Sequence, residues 1–336
     1  MWNNILGHEQ QKKFLQRYLQ AKERPHALLF LGAEGLGKKQ LALAFAKTLL
    51  CPQHSGEDGC ESCRLLNLED GNLSHPDFLL LKREADEKTG RLKDIGIDQI
   101  RDLTGKAAFA PVMSDRKVLV LEDADRMTVP AANSFLKLLE EPPAGWVIIM
   151  LATQEDKLLS TILSRVVCLR FAPVPVALVE QELVRRGLAA EQATVLARIS
   201  EGSVGLAVSL AERQVFEMRK QAVAFLEALP LQTPMNYLAG RVWQQKGFER
   251  QPALLLCQLL QLLLRDLLML KLRTGNPCYN QDLATNLAEQ SRNWSVKSLH
   301  EALAAVQDAF WNLENNVGVR MALEAMALKI DNAYKE

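Results

Sequence analysis

At 336 residues the chain exceeds one ordinary core, and at roughly 100–200 residues per domain it is expected to divide into two or three domains. Hydrophobic residues at 48% and charged ones at 24% are globular proportions, and 40 Lys and Arg balance 40 Asp and Glu, so no strongly basic footprint marks an autonomous nucleic-acid-binding domain. The start, MWNNILGHEQQKK, lacks the basic, apolar and small-residue succession of a secretory signal; the expected compartment is the cytoplasm, where cysteines read as thiols or metal ligands rather than disulfides.

From the N-terminus onward, short apolar runs alternate with helical patterns, the signature of a parallel sheet covered by helices. The predicted strands are Ala27 to Leu31, Phe78 to Leu81, Val118 to Leu121, Val147 to Leu151 and Val166 to Phe171. The charge-dense stretch Lys82 to Asp94 reads as a solvated excursion between strand and helix. After Phe171, Pro173 and Pro175 punctuate the chain and strand-like runs stop. The rest is helical in period, broken at Gly202 to Gly205 and by loops near Thr233-Pro234 and Gly275-Asn276-Pro277. The expected organisation is α/β then all-α: an α/β domain over 1–171 with a cysteine-containing insertion at about 51–75, a small helical domain over 172–212, and a larger helical domain over 213–336. Leu254 to Leu272 is the most lipid-like stretch, but Gln258, Gln261, Arg265 and Asp266 interrupt it, so it is expected to be a buried helix and not a membrane span.

The strand HALLFL runs into GAEGLGKKQLALAFA, which fits seven positions of the phosphate loop G-x-x-x-x-G-K-[ST] and fails at the eighth. Gly32, Gly35 and Gly37 would let the backbone wrap phosphate oxygens, and Lys38, at the start of the following helix, would neutralise charge. Position 39 is lysine, whose ammonium has no lone pair for the magnesium that a hydroxyl would hold. Further on, VLVLEDADRM ends a strand with Glu122 and Asp123, where motors of this class keep a metal-holding Asp followed by a water-activating Glu. The exchanged order moves each carboxylate by about a C–C bond, and misplacement of about 1 Å costs on the order of a hundredfold in rate. Read plainly, Glu122, Asp123 and Asp125 make a polar strand end; ATP or ADP binding without turnover stays open.

With these residues the chain resembles the delta-prime family of bacterial DNA polymerase III clamp-loader subunits, members of the AAA+ superfamily. HPDF (75–78), IDQIR (97–101), AANSFLKLLEEPP (131–143) and NNVGVRMALE (315–324) are similar to family strings, in the same order. The resemblance implies a phosphate-loop sheet domain, a helical lid and a helical collar. It implies that Ser164 and Arg165, in LSRVV, place an arginine finger at a neighbouring subunit's ATP site. Val166 stands where the family has cysteine, and the residue-level alternative is an arginine salt-bridged at a strand edge. Active motors carry a sensor arginine after a Gly-Ser pair; here the run is Gly202-Ser203-Val204-Gly205, with glycine in its place. Cys51, Cys60 and Cys63 fall where the family has a four-cysteine zinc module, but its fourth position is Leu66. His54 is the first candidate to complete a tetrahedron, with Glu69, Asp70 and His75 also near; otherwise these are thiols alone. Cys168, Cys257 and Cys278 read as packing residues.

The implied role is one wall of a clamp-loader ring, with motor subunits, a delta-type clamp opener, the sliding clamp and, through the assembly, primer-template DNA as partners. Such a chain has no catalysis of its own although it belongs to a DNA-directed DNA polymerase complex. The competing reading is an active motor of the same superfamily, a clamp-loader ATPase subunit or a branch-migration helicase.

Overall fold

A computed structural model describes every residue except 1, 3, 68–70, 87–91, 108, 213–214, 232–248, 274, 276–277, 316 and 336. Among the sequence expectations, the loop at Thr233-Pro234 and the ligand candidates Glu69 and Asp70 lie outside the described residues, as does part of the 82–94 excursion. The chain forms two compact units, Met1–Val179 with Gly202–Leu206, and Glu180–Glu201 with Ala207–Glu336. The segment expected as a small helical domain is thus shared between the two.

The first unit is built on β1 (Ala27–Leu31), β4 (Phe78–Leu81), β5 (Lys117–Leu121), β6 (Trp146–Ala152) and β7 (Val167–Arg170), in the order β4-β5-β6-β1-β7. Every pairing in this sheet is parallel. Helices cover both faces, which is why the central strands are unbroken apolar runs instead of alternating ones. Side chains still alternate by face. Leu28 and Phe30 join Leu41 and Phe45 of α2 (Lys38–Leu50), while Leu29 and Leu31 join Ile100 of α4 (Ile97–Ala107) and Phe135 of α5 (Val129–Glu140). Each fully buried side chain of this size contributes about 1.5–3 kcal/mol by leaving water. The helix α1 (Glu9–Gln20) closes the α2 face, where Tyr18 meets the Phe45 ring edge-on at 5.3 Å between centroids.

Two further strands were not anticipated from the sequence. After α3 (Glu61–Leu65), β2 (Leu66–Asn67) pairs antiparallel with β3 (Asn72–Leu73), a two-residue ladder too short to show a period. The short α6 (Ser160–Leu163) then leads into β7, and α7 (Val176–Arg185) begins after the two prolines.

The second unit is helical: α8 (Ala190–Ile199), the end of α9 (Val204–Glu212), α10 (Val215–Glu227), α11 (Arg250–Leu272), α12 (Ala284–Gln290), α13 (Val296–Glu314) and α14 (Val319–Lys335). The lipid-like stretch is α11. It is long and apolar enough to cross a bilayer, but 61% of its most apolar window is buried against its own unit, with Gln258, Gln261 and Arg265 on the less buried side. Asp266 is the exception to this stripe: fully buried, its carboxylate accepts from the backbone N–H of Tyr279 and Asn280 at 3.0 and 2.9 Å. The charge is tolerated inside because those donors replace water. A capping box between Ser295 and Ser298 starts α13.

Candidate functional site

The phosphate loop leaves β1 at the end of the sheet where the strands finish. Gly37 precedes α2 at φ 90°, and Gly35 has φ 76°, conformations that exclude most side chains. Gly35 is also crowded: a Cβ there would stand 2.2 Å from Ser203 Oγ. The loop's carbonyls are taken up from inside the protein. Lys38 Nζ donates to Gly32 O at 2.6 Å and Ala33 O at 2.7 Å, Ser203 Oγ to Glu34 O at 3.2 Å, and Gly205 N to Gly35 O at 2.9 Å. Burial pushes the Lys38 ammonium below its usual range, against the attraction of Asp125, Glu34 and Asp123.

The two anomalous positions face each other. Lys39, in place of the hydroxyl, sets its ammonium 2.9 Å from Glu122 Oε1, the carboxylate at the end of β5. That oxygen is enclosed and makes no well-aligned hydrogen bond, so the ammonium is its counter-charge by proximity. Asp125 is committed elsewhere: one oxygen accepts from Thr153 N, Thr153 Oγ1 and Gln154 N at 3.2, 2.7 and 3.0 Å, fixing the turn after β6. The backbone half of a phosphate site is present, whereas its magnesium half does not fit these residues. Gly205, expected where a sensor arginine would stand, is required by packing. A Cβ at this position would lie 3.0 Å from Gly35 Cα and 3.1 Å from Gly35 O, so the backbones approach where a side chain would stand.

Arg165 lies at the other end of the sheet. Leu28 pairs with Val167, the first residue of β7, and Leu31 with Arg170, so the turn that holds Arg165, just before β7, lies past the end of the sheet opposite to Gly32. At about 3.3 Å per residue, the four steps from Leu28 to Gly32 alone separate them by about 13 Å along the strands. The Arg165 side chain is about one-third exposed, and its guanidinium donates to Thr161 O at 2.9 Å and Ser164 Oγ at 3.1 Å and pairs with Glu140 at 2.8 Å. Ser164 Oγ in turn donates to Thr161 O at 3.0 Å. Glu140, at the end of α5, was not singled out from the sequence, because the glutamates of LLEEPP show no spacing that points to residue 165.

In the insertion, Cys51, Asp58, Cys60 and Cys63 present ligand atoms all within 4.8 Å of one another. Such a set suits a metal ion. His54, the first candidate for the fourth corner, is not among them: its Nδ1 lies 3.2 Å from Thr48 O, on the preceding helix. His75 is buried in a different role, with Nδ1 accepting from Asp77 N at 3.1 Å. Asp77 itself accepts from the backbone N–H of Val112, Met113 and Ser114 at 2.7–2.8 Å, so the HPDF string is a clamp on that loop.

A family model described as DNA polymerase III, delta subunit, matches residues 7–175, and one for the C-terminal part of that subunit matches 245–331. The chain belongs to the DNA polymerase III delta subunit family. Within it, the chain is similar to DNA polymerase III subunit delta' of Bacillus subtilis, at 29% identity over 95% of this chain and 94% of that one. It is also similar to the delta' subunit of Pseudomonas aeruginosa, at 36% identity over 62% of each chain. A DNA polymerase III gamma subunit-related protein of Thermotoga maritima shares the fold, with a TM-score of 0.51 and 19% identity over 97% of this chain and 99% of that one. The family strings in the sequence therefore sit on the sheet unit and on the helices that follow it.

Proposed function

We propose that this chain is the delta-prime-type subunit of a bacterial clamp loader: a wall of the ring that hydrolyses no ATP itself and lends Arg165 to the ATP site of a neighbouring subunit. The supporting observation is the separation along the sheet. An arginine at least about 13 Å along the strands from its own phosphate loop is beyond the reach of one side chain, yet it is partly exposed, and a guanidinium supplied from a neighbour stabilises the charge on a transferring phosphoryl group. Ser164 and Glu140 orient the guanidinium through the hydrogen bond and ion pair described above.

In cis the chemistry is disabled at three points: Lys39, the Glu122-Asp123 order and Gly205. The loop backbone and Lys38 remain fit to hold the phosphates of ATP or ADP without turnover. Partners are the motor subunits, a delta-type clamp opener, the sliding clamp and primer-template DNA reached through the assembly; the helical unit supplies the collar, and the compartment is the cytoplasm. Cys51, Cys60 and Cys63 hold zinc as a structural ion.

Reconstitution with motor and clamp-opening subunits tests the proposal. A stoichiometric complex is expected, with clamp- and DNA-stimulated ATPase that needs Arg165. A chain that stays monomeric, or that turns over ATP alone in a Lys38-dependent way, overturns it in favour of an autonomous motor.

A further inference from the structure

The family's fourth cysteine position is occupied by Leu66, which is fully buried and opens β2, so the three thiols lack a sulfur at one corner. A carboxylate earlier in the chain lies among the thiols instead. Asp58 Oδ2 lies 3.3 Å from Cys51 Sγ, and Cys60 Sγ lies 4.0 Å from Cys51 Sγ. In a tetrahedron with Zn–S near 2.3 Å and Zn–O near 2.0–2.2 Å, ligand atoms are about 3.5–3.8 Å apart, and the observed distances bracket that edge.

The carboxylate is also held for the purpose. Its other oxygen, Oδ1, accepts from Cys60 N at 3.2 Å, a local turn that fixes the side chain and leaves Oδ2 directed at the thiols. His54, in contrast, sits in the left-handed region at φ 53° with its ring on Thr48 O. We infer that Asp58 is the fourth ligand of a Cys51, Asp58, Cys60, Cys63 site, so that an oxygen donor on the N-terminal side replaces the sulfur missing at position 66. The inference rests on the zinc reading above. Exchanging a soft sulfur for a hard oxygen makes the site release zinc to a chelator more readily than a four-thiolate one.

The test uses the full chain loaded with zinc and, separately, with cobalt(II), whose visible and near-ultraviolet bands report coordination number and thiolate count. Wild type is expected to bind one equivalent with a tetrahedral, three-thiolate spectrum. Asp58→Asn preserves the bond to Cys60 N but removes the anionic donor, and should weaken zinc at least about tenfold in chelator competition. Asp58→Cys should bind zinc more tightly and add a fourth thiolate band. His54→Ala should leave spectrum and affinity unchanged. If His54→Ala weakens the metal while Asp58→Asn and Asp58→Cys do nothing, the ligand assignment is overturned and the zinc reading stands. If wild type retains less than a tenth of an equivalent, both fall together.

Discussion

Arg165→Ala separates the finger from a merely structural arginine, because the two roles predict effects of very different size. The side chain is 36% exposed and its partner Glu140 is 48% exposed, so their ion pair is screened by solvent and contributes about 0.2–1 kcal/mol. The bonds to Thr161 O and Ser164 are likewise at the surface. The variant should therefore fold, with a melting temperature lower by no more than about 2–4 °C, and should assemble normally. In the proposed role, the same deletion removes from the neighbour's active site a trans-acting cation worth about 10³–10⁵ in rate. Single-turnover ATP hydrolysis in the reconstituted loader, with clamp and primed DNA present, should show one site silenced. Arg165→Lys should restore little, since an ammonium lacks the planar fork that engages phosphoryl oxygens in pairs. Stimulated hydrolysis within twofold of wild type in a fully assembled Arg165→Ala loader would refute the reasoning and leave Arg165 as a strand-edge ion pair.

Three further outcomes follow from the same geometry. Lys39→Thr should not create an ATPase, because Glu122, Asp123 and Gly205 remain, and should cost about 1 kcal/mol by stripping the enclosed Glu122 oxygen of its counter-charge; ATP turnover by the isolated variant would contradict this. Gly205→Arg should lower stability by about 1–3 kcal/mol, since its Cβ would press on Gly35 backbone at 3.0 Å, and an unchanged thermal melt would count against that close approach. Acid should destabilise the sheet unit in two windows. Burial holds His75 and His8 below the ordinary histidine range, so the unfolded chain binds those protons first and stability falls as pH drops below about 6.5. Burial alone would raise Asp77, but its three backbone donors prevail and hold it low, so its contribution is present above about pH 4 and lost below. Denaturant titrations against pH should show His75→Asn shrinking the first step, with His8 supplying what remains, and keeping the second; an unaltered first step would refute the assignment.

How much of this was legible in the sequence depended on whether a feature is local. The central strands were readable because both faces are covered and each is an apolar run, as in Val118 to Leu121, whereas the edge strand β7, VCLR with only Leu169 buried, was readable from its β-branched and apolar residues. The phosphate loop was readable from glycine spacing alone. Lys39 and Glu122 were each visible as departures, but their pairing joins α2 to the end of β5, and only the parallel sheet brings those together. Asp58 was not legible because it lies between Cys51 and Cys60, and only the local turn that ties its carboxylate to Cys60 N brings it to the thiols. Glu140 and the Asp77 clamp are contacts across 25 and 35–37 residues, respectively, with no periodic trace.

The departures in the phosphate loop are therefore not independent defects. Replacing a hydroxyl by an ammonium at position 39 supplies the counter-charge that Glu122 would otherwise take from a metal ion, and replacing a side chain by glycine at 205 lets a backbone N–H reach Gly35 O at 2.9 Å. Each loss of catalytic chemistry coincides with an internal bond that holds the loop in place. Restoring one position alone breaks such a bond without rebuilding the rest of the site, so a return to turnover needs all three changes together, and single reversions should register in stability and not in rate. Arg165, at the other end of the strands, lies outside this network, as the proposed role requires: changes that disable the phosphate loop in cis need not disturb a group offered to a neighbour.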